Sequence, residues 1–195
     1  MLVDITHLPD LGEITLAPDC VRISALVRHV DILRSALVNT HVPLLPQAVR
    51  EVAHPAIRNR GTIGGSLALN NPAAEYPAVA VALGATLHLR GPEGLRTMAA
   101  EAFFTGIYGN ALGPSETLEA VSFPRCPDQR AVFLKLARRF GDYAIVGLAV
   151  QGGHFVFMAV GDGPVQARQA ETTYAVHGIK AAQEALLQDL DPPGT

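Results

Sequence analysis

The 195-residue chain has no tryptophan, four tyrosines and seven phenylalanines. So few aromatics leave no platform on which nucleic-acid bases could stack. Basic residues are also scarce, with 15 Lys and Arg against 18 Asp and Glu and a net charge of −3. No basic block occurs, which argues against a nucleic-acid partner. The two cysteines, Cys20 and Cys126, form no CxxC and by themselves hold neither an iron–sulfur cluster nor a structural zinc. Free thiols of this kind suit the cytoplasm. The seven histidines show no H-x-x-x-H spacing and have no cysteine neighbours, so no metal site is expected. Ser35, Ser66 and Ser115 lie in no nucleophile-elbow context, and no catalytic residue is nominated. The longest apolar run, residues 77–85, is too short to span a bilayer. The start, Met1-Leu2-Val3-Asp4, has no basic region leading into an apolar stretch and is not a signal peptide. A soluble, cytoplasmic protein without a membrane segment is expected. Charged residues are only 17% of the chain, below the ~25% usual for a free-standing domain. A surface partly covered by partner chains would account for this.

Glycine, by contrast, is concentrated in Ile57-Arg58-Asn59-Arg60-Gly61-Thr62-Ile63-Gly64-Gly65-Ser66. Glycine accepts positive φ, so such a run can point successive N–H groups into one concavity that binds anions. Thr62 and Ser66 add hydroxyl donors. No Lys follows the glycines as in a Walker A loop, and the run is not G-x-G-x-x-G. A surface turn that needs glycine for geometry alone is the competing explanation.

The pattern around this stretch predicts an α+β fold. Residues 1–5 read as a strand end, and residues 13–16 and 21–25 as paired strands. Apolar spacing predicts a helix over 27–37 and another over 45–53, stopped by His54-Pro55. A further helix opens at 72–77 and ends at Gly84, leading to strands at 85–90 and 95–98 across the turn Gly91-Pro92-Glu93-Gly94. A short helix at 100–104 and a strand at 117–124 follow. The polar stretch 125–130 is the best domain boundary, dividing 1–124 from 125–195. Beyond it, strands at 131–137, 145–151 and 155–160 precede two short helices within 167–187.

The glycine stretch, with Asn71-Pro72-Ala73-Ala74-Glu75-Tyr76-Pro77, closely resembles the FAD-binding medium subunit of molybdenum hydroxylases, the group of xanthine dehydrogenase and aerobic carbon monoxide dehydrogenase. Val3-Asp4-Ile5, Ala102-Phe103-Phe104-Thr105-Gly106, residues 133–139 and Gly141-Asp142-Tyr143-Ala144-Ile145-Val146 extend the resemblance in the family's order. It implies the second subdomain of a PCMH-type FAD-binding fold, then a C-terminal CO dehydrogenase flavoprotein-like domain with a three-stranded antiparallel sheet and helices. It also implies cofactor-binding roles: Thr62, Ile63, Gly64, Gly65 and Ser66 at the FAD pyrophosphate, Glu75 at the flavin nucleotide, and Leu118, Lys135 and Val52 as contacts to the cofactor. The family usually has Asp where Glu75 stands. Without the resemblance, Leu118 reads as core, Lys135 as a solvated lysine and Glu75 as a helix-start acid.

The function implied is electron transfer. FAD on this chain would take electrons from [2Fe-2S] clusters of a small subunit and pass them to an external acceptor, while a large subunit carries the molybdenum cofactor. The family's first FAD subdomain, with its A-G-G-H/Q-S loop, has no counterpart before Met1, and the region 152–161 and the C-terminal end look shortened. A fragment, a split gene product and a degenerate copy that serves as a non-catalytic interaction module are the alternatives.

Overall fold

A computed structural model describes residues 3–9, 11–126 and 130–190. The chain order is β1 (Ile14–Leu16), β2 (Cys20–Ser24), α1 (His29–Arg34), α2 (Ala36–His41), α3 (Leu44–Glu51), α4 (Pro55–Arg58), α5 (Ile63–Leu69) and α6 (Glu75–Ala82). It continues with β3 (Thr86–Gly91), β4 (Gly94–Ala99), α7 (Ala100–Phe103), β5 (Phe104–Gly106), β6 (Gly109–Asn110) and β7 (Thr117–Pro124). The last part holds β8 (Ala131–Leu136), β9 (Val146–Gln151), β10 (His154–Met158), β11 (Val165–Gln166), α8 (Arg168–His177) and α9 (Ile179–Asp189).

Two antiparallel sheets carry the fold. The first has the order β1-β2-β7-β3-β4, with the long strand β7 at its centre. Along β7, Leu118, Ala120, Val121 and Phe123 are buried and Thr117 and Pro124 exposed; the alternation changes phase where the register with β3 shifts, His88 pairing with Ala120 and Leu89 with Leu118. The second sheet has the order β11-β10-β9-β8. The expected three-stranded meander is present as β8-β9-β10, and the two-residue β11 extends it by pairing with β10.

The helix α6 joins the two sheets. It is apolar nearly all round and buried accordingly, from Tyr76 and Pro77 through Ala80 to Ala82. Gly84, at φ +60°, then ends it. Its N–H donates to Val81 O at 3.0 Å and that of Ala85 to Ala80 O at 2.8 Å, the paired bonds of a Schellman C-cap. One apolar core runs from Val21 and Ile23 through α3 and α6 to Phe133, Ala149 and Val156 of the second sheet.

The helix α3 seals the free edge of β8. Gln47 Nε2 donates to Ala131 O at 3.1 Å, and Phe133 N–H donates to Gln47 Oε1 at 3.2 Å. A side-chain amide thus takes the place of a neighbouring strand.

Several expectations need correction. The helix expected over 27–37 is two helices, because the Ser35 hydroxyl accepts from Val38 N–H and starts α2 anew. Residues 3–5 are not a strand, whereas Met1 and Leu2 lie outside the described residues. The glycine stretch is not an open loop. Gly64 and Gly65 lie within α5, which Thr62 caps and Asn70 ends in the left-handed conformation at φ +46°. Residues 127–129 of the expected boundary lie outside the described residues.

Candidate functional site

The glycine stretch is held on both sides by backbone. His29 N–H donates to Gly61 O, Ile63 N–H to Val27 O and Gly64 N–H to Ala25 O, all within 2.9–3.0 Å. Gly65 N–H goes to the Thr62 hydroxyl at 3.1 Å and Ser66 N–H to Thr62 O at 3.1 Å. The N–H groups of residues 63–66 are therefore committed inside the protein rather than pointed together into one concavity. What this stretch offers a ligand are the remaining capacity of the Thr62 hydroxyl and the Ser66 hydroxyl.

The two arginines before the glycines part company. Arg58 Nη1 donates to Val52 O at 2.7 Å and Ala53 O at 2.8 Å, satisfying carbonyls left open at the end of α3. Arg60 instead lines a cleft of about 1130 Å³. This is large for a small-molecule site, where roughly 300–1,000 Å³ is common.

Six of the eight nominated residues border that cleft: Thr62, Gly64, Gly65, Ser66, Glu75 and Leu118. Ile63 is fully buried beneath it. Val52 borders it as well. The opposite rim comes from beyond β8, with Arg138, Tyr143 and Ile145. Gly141 allows that turn to close in: a Cβ there would lie 2.5 Å from the His54 ring, and φ is +86°. Arg138 is thus a cleft residue. Neither Arg60 nor Arg138 forms an ion pair among the described residues.

Lys135 does not border the cleft, but it reaches Glu75. Its Nζ is 2.7 Å from Glu75 Oε1 and 2.9 Å from Glu51 O, and its side chain is only 2% exposed. The ordinary expectation of a solvated lysine fails here because the outer face of β8 carries Leu134 and Leu136, both more than half exposed. Burial pushes the Glu75 carboxyl above the ordinary range, and the Lys135 hydrogen bond and charge pull it back without restoring it.

His29 also borders the cleft although 4% exposed. Its Nδ1 is 2.9 Å from the hydroxyl of buried Tyr76. Desolvation, with the Arg58 charge, lowers its pKa to about 4, so the imidazole is neutral at neutral pH. Nothing in the local sequence singles this residue out, since its partner is 47 positions away.

Residues 1–126 match the family described as FAD binding domain in molybdopterin dehydrogenase. The chain belongs to this family. Among curated FAD-family relatives, it is 35% identical over 211 aligned residues to the 6-hydroxypseudooxynicotine dehydrogenase complex subunit alpha of Paenarthrobacter nicotinovorans, covering all of this chain and 71% of that one. It is 37% identical to the carbon monoxide dehydrogenase medium chain of Hydrogenophaga pseudoflava, over 76% of this chain and 52% of the other. The chain thus spans between about half and 71% of these relatives. Carbon monoxide dehydrogenase from H. pseudoflava superposes with a TM-score of 0.92 at 31% identity, covering 98% of this chain and 72% of that one. Quinoline 2-oxidoreductase from Pseudomonas putida 86 gives 0.91 at 33% identity, with the same coverage. Membership makes FAD the cofactor class and places the chain among oxidoreductase subunits, and the mixed helix and strand architecture agrees with these structures.

The cleft fits a dinucleotide in its chemistry as well as its volume. It combines apolar walls at Leu118, Val52 and Ile145 with the hydroxyls of Thr62 and Ser66 and with Arg60 and Arg138, neither of which is ion-paired among the described residues. Among the described residues, no helix is long and apolar enough to cross a membrane.

Proposed function

We propose that this chain binds FAD in the cleft beside α5 and serves as the electron-transfer subunit of a molybdenum-containing hydroxylase or dehydrogenase. The carrying observation is the meeting of residues 62–66, Glu75 and Leu118, distant in sequence, around one cleft in a chain of this family. In this assignment the Thr62 and Ser66 hydroxyls and the Arg60 and Arg138 guanidiniums face the diphosphate, neutralising its charge. Gly65 keeps the wall beside them low. Leu118 and Val52 exclude water from the flat part of the cofactor.

Glu75 holds a polar group of the nucleotide, and Lys135 acts through it by fixing its carboxylate. FAD, when bound, supplies the chemistry of taking up and releasing electrons. The protein's own residues bind and orient it, and no acid or base is required of them. Residues 1–124 would form the FAD domain and 125–195 the C-terminal domain, a division supported by the span of the family match. The partners are a small subunit with [2Fe-2S] clusters and a large subunit with the molybdenum cofactor; the existence of partner chains is supported by relatives named as a complex subunit and a medium chain. Two free thiols, Cys20 and Cys126, fit a reducing, cytoplasmic setting.

The test is the visible spectrum of the purified chain, followed by titration with FAD. Flavin absorbance in proportion to protein is the expected result. A colourless protein that takes up no added FAD would refute the assignment and favour the interaction module. Electron transfer is tested separately by mixing the FAD-loaded chain with a reduced [2Fe-2S] partner subunit and following flavin bleaching.

A further inference from the structure

The imidazole of His29 has a place at the cleft that the assignment above leaves unused. The backbone N–H of His29 donates to Gly61 O, and its ring packs closely against the same residue. A Cβ at position 61 would stand 2.6 Å from Nε2 and 2.9 Å from Cδ2. Glycine at 61 is therefore what lets the ring approach the residue preceding Thr62.

The other nitrogen is spoken for. Nδ1 is 2.9 Å from the Tyr76 hydroxyl, and the two rings meet in a tilted contact with centroids 5.1 Å apart and planes at 31°. Tyr76 is buried, so its hydroxyl proton has no water to turn to; Nδ1 is the partner described for it, and a hydroxyl with no other acceptor donates there, which sets the tautomer. A neutral imidazole that accepts at Nδ1 carries its proton on Nε2. Nε2 is the nitrogen on the Gly61 side of the ring, at the cleft wall.

We propose that His29 donates a hydrogen bond from Nε2–H to a diphosphate oxygen of the bound dinucleotide, with Tyr76 holding the imidazole in that tautomer. The inference rests on the reading that a dinucleotide fills the cleft. His29 is then a binding residue and Tyr76 a positioning residue. The diphosphate is the part named because Gly61 adjoins Thr62, whose hydroxyl faces it. The neutral ring contributes a directed donor, while the charge is met by the arginines.

The test uses the 195-residue chain and two ligands, FAD and ADP, which share the diphosphate. His29→Phe is expected to weaken both about tenfold or more, the effect of losing one hydrogen bond to a charged acceptor. His29→Gln, which restores an amide donor, should recover part of the loss, and Tyr76→Phe should weaken both ligands by a smaller factor. Unchanged binding of both ligands by His29→Phe would overturn the proposal, and so would loss of FAD affinity with ADP unaffected. Should His29→Phe not fold, ¹⁵N NMR of the wild-type ring decides the matter. An Nε2–H tautomer whose Nε2 resonance moves on adding ADP supports it; an Nδ1–H tautomer, or an Nε2 resonance indifferent to ADP, overturns it. A wild-type chain that binds neither ligand refutes the parent reading, and this one with it.

Discussion

Two neighbouring glycines, Gly64 and Gly65, should respond in opposite ways to the same small change. A Cβ on Gly64 would lie 2.5 Å from Ala25 Cβ, 2.7 Å from Ala25 O and 2.8 Å from Ala25 Cα. Two of those atoms are backbone, tied by the Gly64 N–H bond to Ala25 O at 2.9 Å, so no rotamer change relieves the clash. Overpacking of this kind costs about 1–3 kcal/mol where side chains can yield, and the upper end applies here. At about 2–4 °C per kcal/mol for a chain of this size, Gly64→Ala should lower Tm by roughly 6–12 °C. A Cβ on Gly65 meets only the Thr62 hydroxyl oxygen at 3.2 Å. The gain in helix propensity, up to about 1 kcal/mol, offsets a weakened cap of similar size, and Tm should hardly move. Gly65 nevertheless borders the cleft, so Gly65→Ala should weaken FAD binding at unchanged Tm. Thermal denaturation and FAD titration on both variants separate packing from binding. Equal Tm values for the two variants, or Gly64→Ala as stable as wild type, would refute the reasoning.

Other consequences follow from the buried polar groups. Lys135→Met leaves the Glu75 carboxylate buried without its cation and should cost about 3–5 kcal/mol in urea denaturation, with Glu75→Gln in the same chain recovering most of it. His29 has its pKa depressed in the fold, so its contribution is complete above the ordinary value of 6.5 and is lost as pH falls towards about 4. At ~1.4 kcal/mol per pH unit this amounts to about 3 kcal/mol, and a denaturation series from pH 7 to 4 should show a steeper fall for wild type than for His29→Phe. His88 is shifted the same way by its own burial and gives a residual slope in the variant, while Glu75, raised by burial, works against both. Gln47→Leu removes the amide that pairs with Ala131 O and Phe133 N–H and should destabilise by about 1–3 kcal/mol, read as a lower urea midpoint.

Much of this arrangement was legible in the residues. The strand at 117–124 and the turn at Pro92-Glu93 were read to the residue because alternation and turn chemistry are local signals. So was the end of α6 at Gly84, where a left-handed residue was required. The single helix expected over 27–37 failed at Ser35, since apolar spacing continues smoothly across a serine that caps a new helix. The glycine stretch suggests an anion-binding concavity or a surface turn because glycine accepts positive φ, whereas Gly64 is required instead by the close approach of α5 to Ala25. The two short strands β5 and β6 carry too few residues to show any period.

Lys135 shows the same boundary from the other side. Alternation correctly put it opposite Leu134 and Leu136, yet period alone does not say which face is inside. The structure buries the lysine and exposes the leucines, because α3 and α6 supply Glu51 O and Glu75 as partners. Glycine-stretch residues, Glu75 and Leu118 border one cleft, whereas Arg138 and His29 reach it through contacts that no neighbouring residue announces.

The inverted strand β8 has a consequence for what can attach to this molecule. Its outward face shows Val132, Leu134 and Leu136 to solvent, which makes it adhesive to other apolar surfaces. Its rim is closed, however, because Gln47 occupies Ala131 O and Phe133 N–H, two of the backbone groups that an incoming chain would need. Another protein can therefore lie flat across this strand by side-chain packing, but it cannot extend the sheet there. The surface is open to assembly of defined size and guarded against the open-ended stacking that leads to fibres.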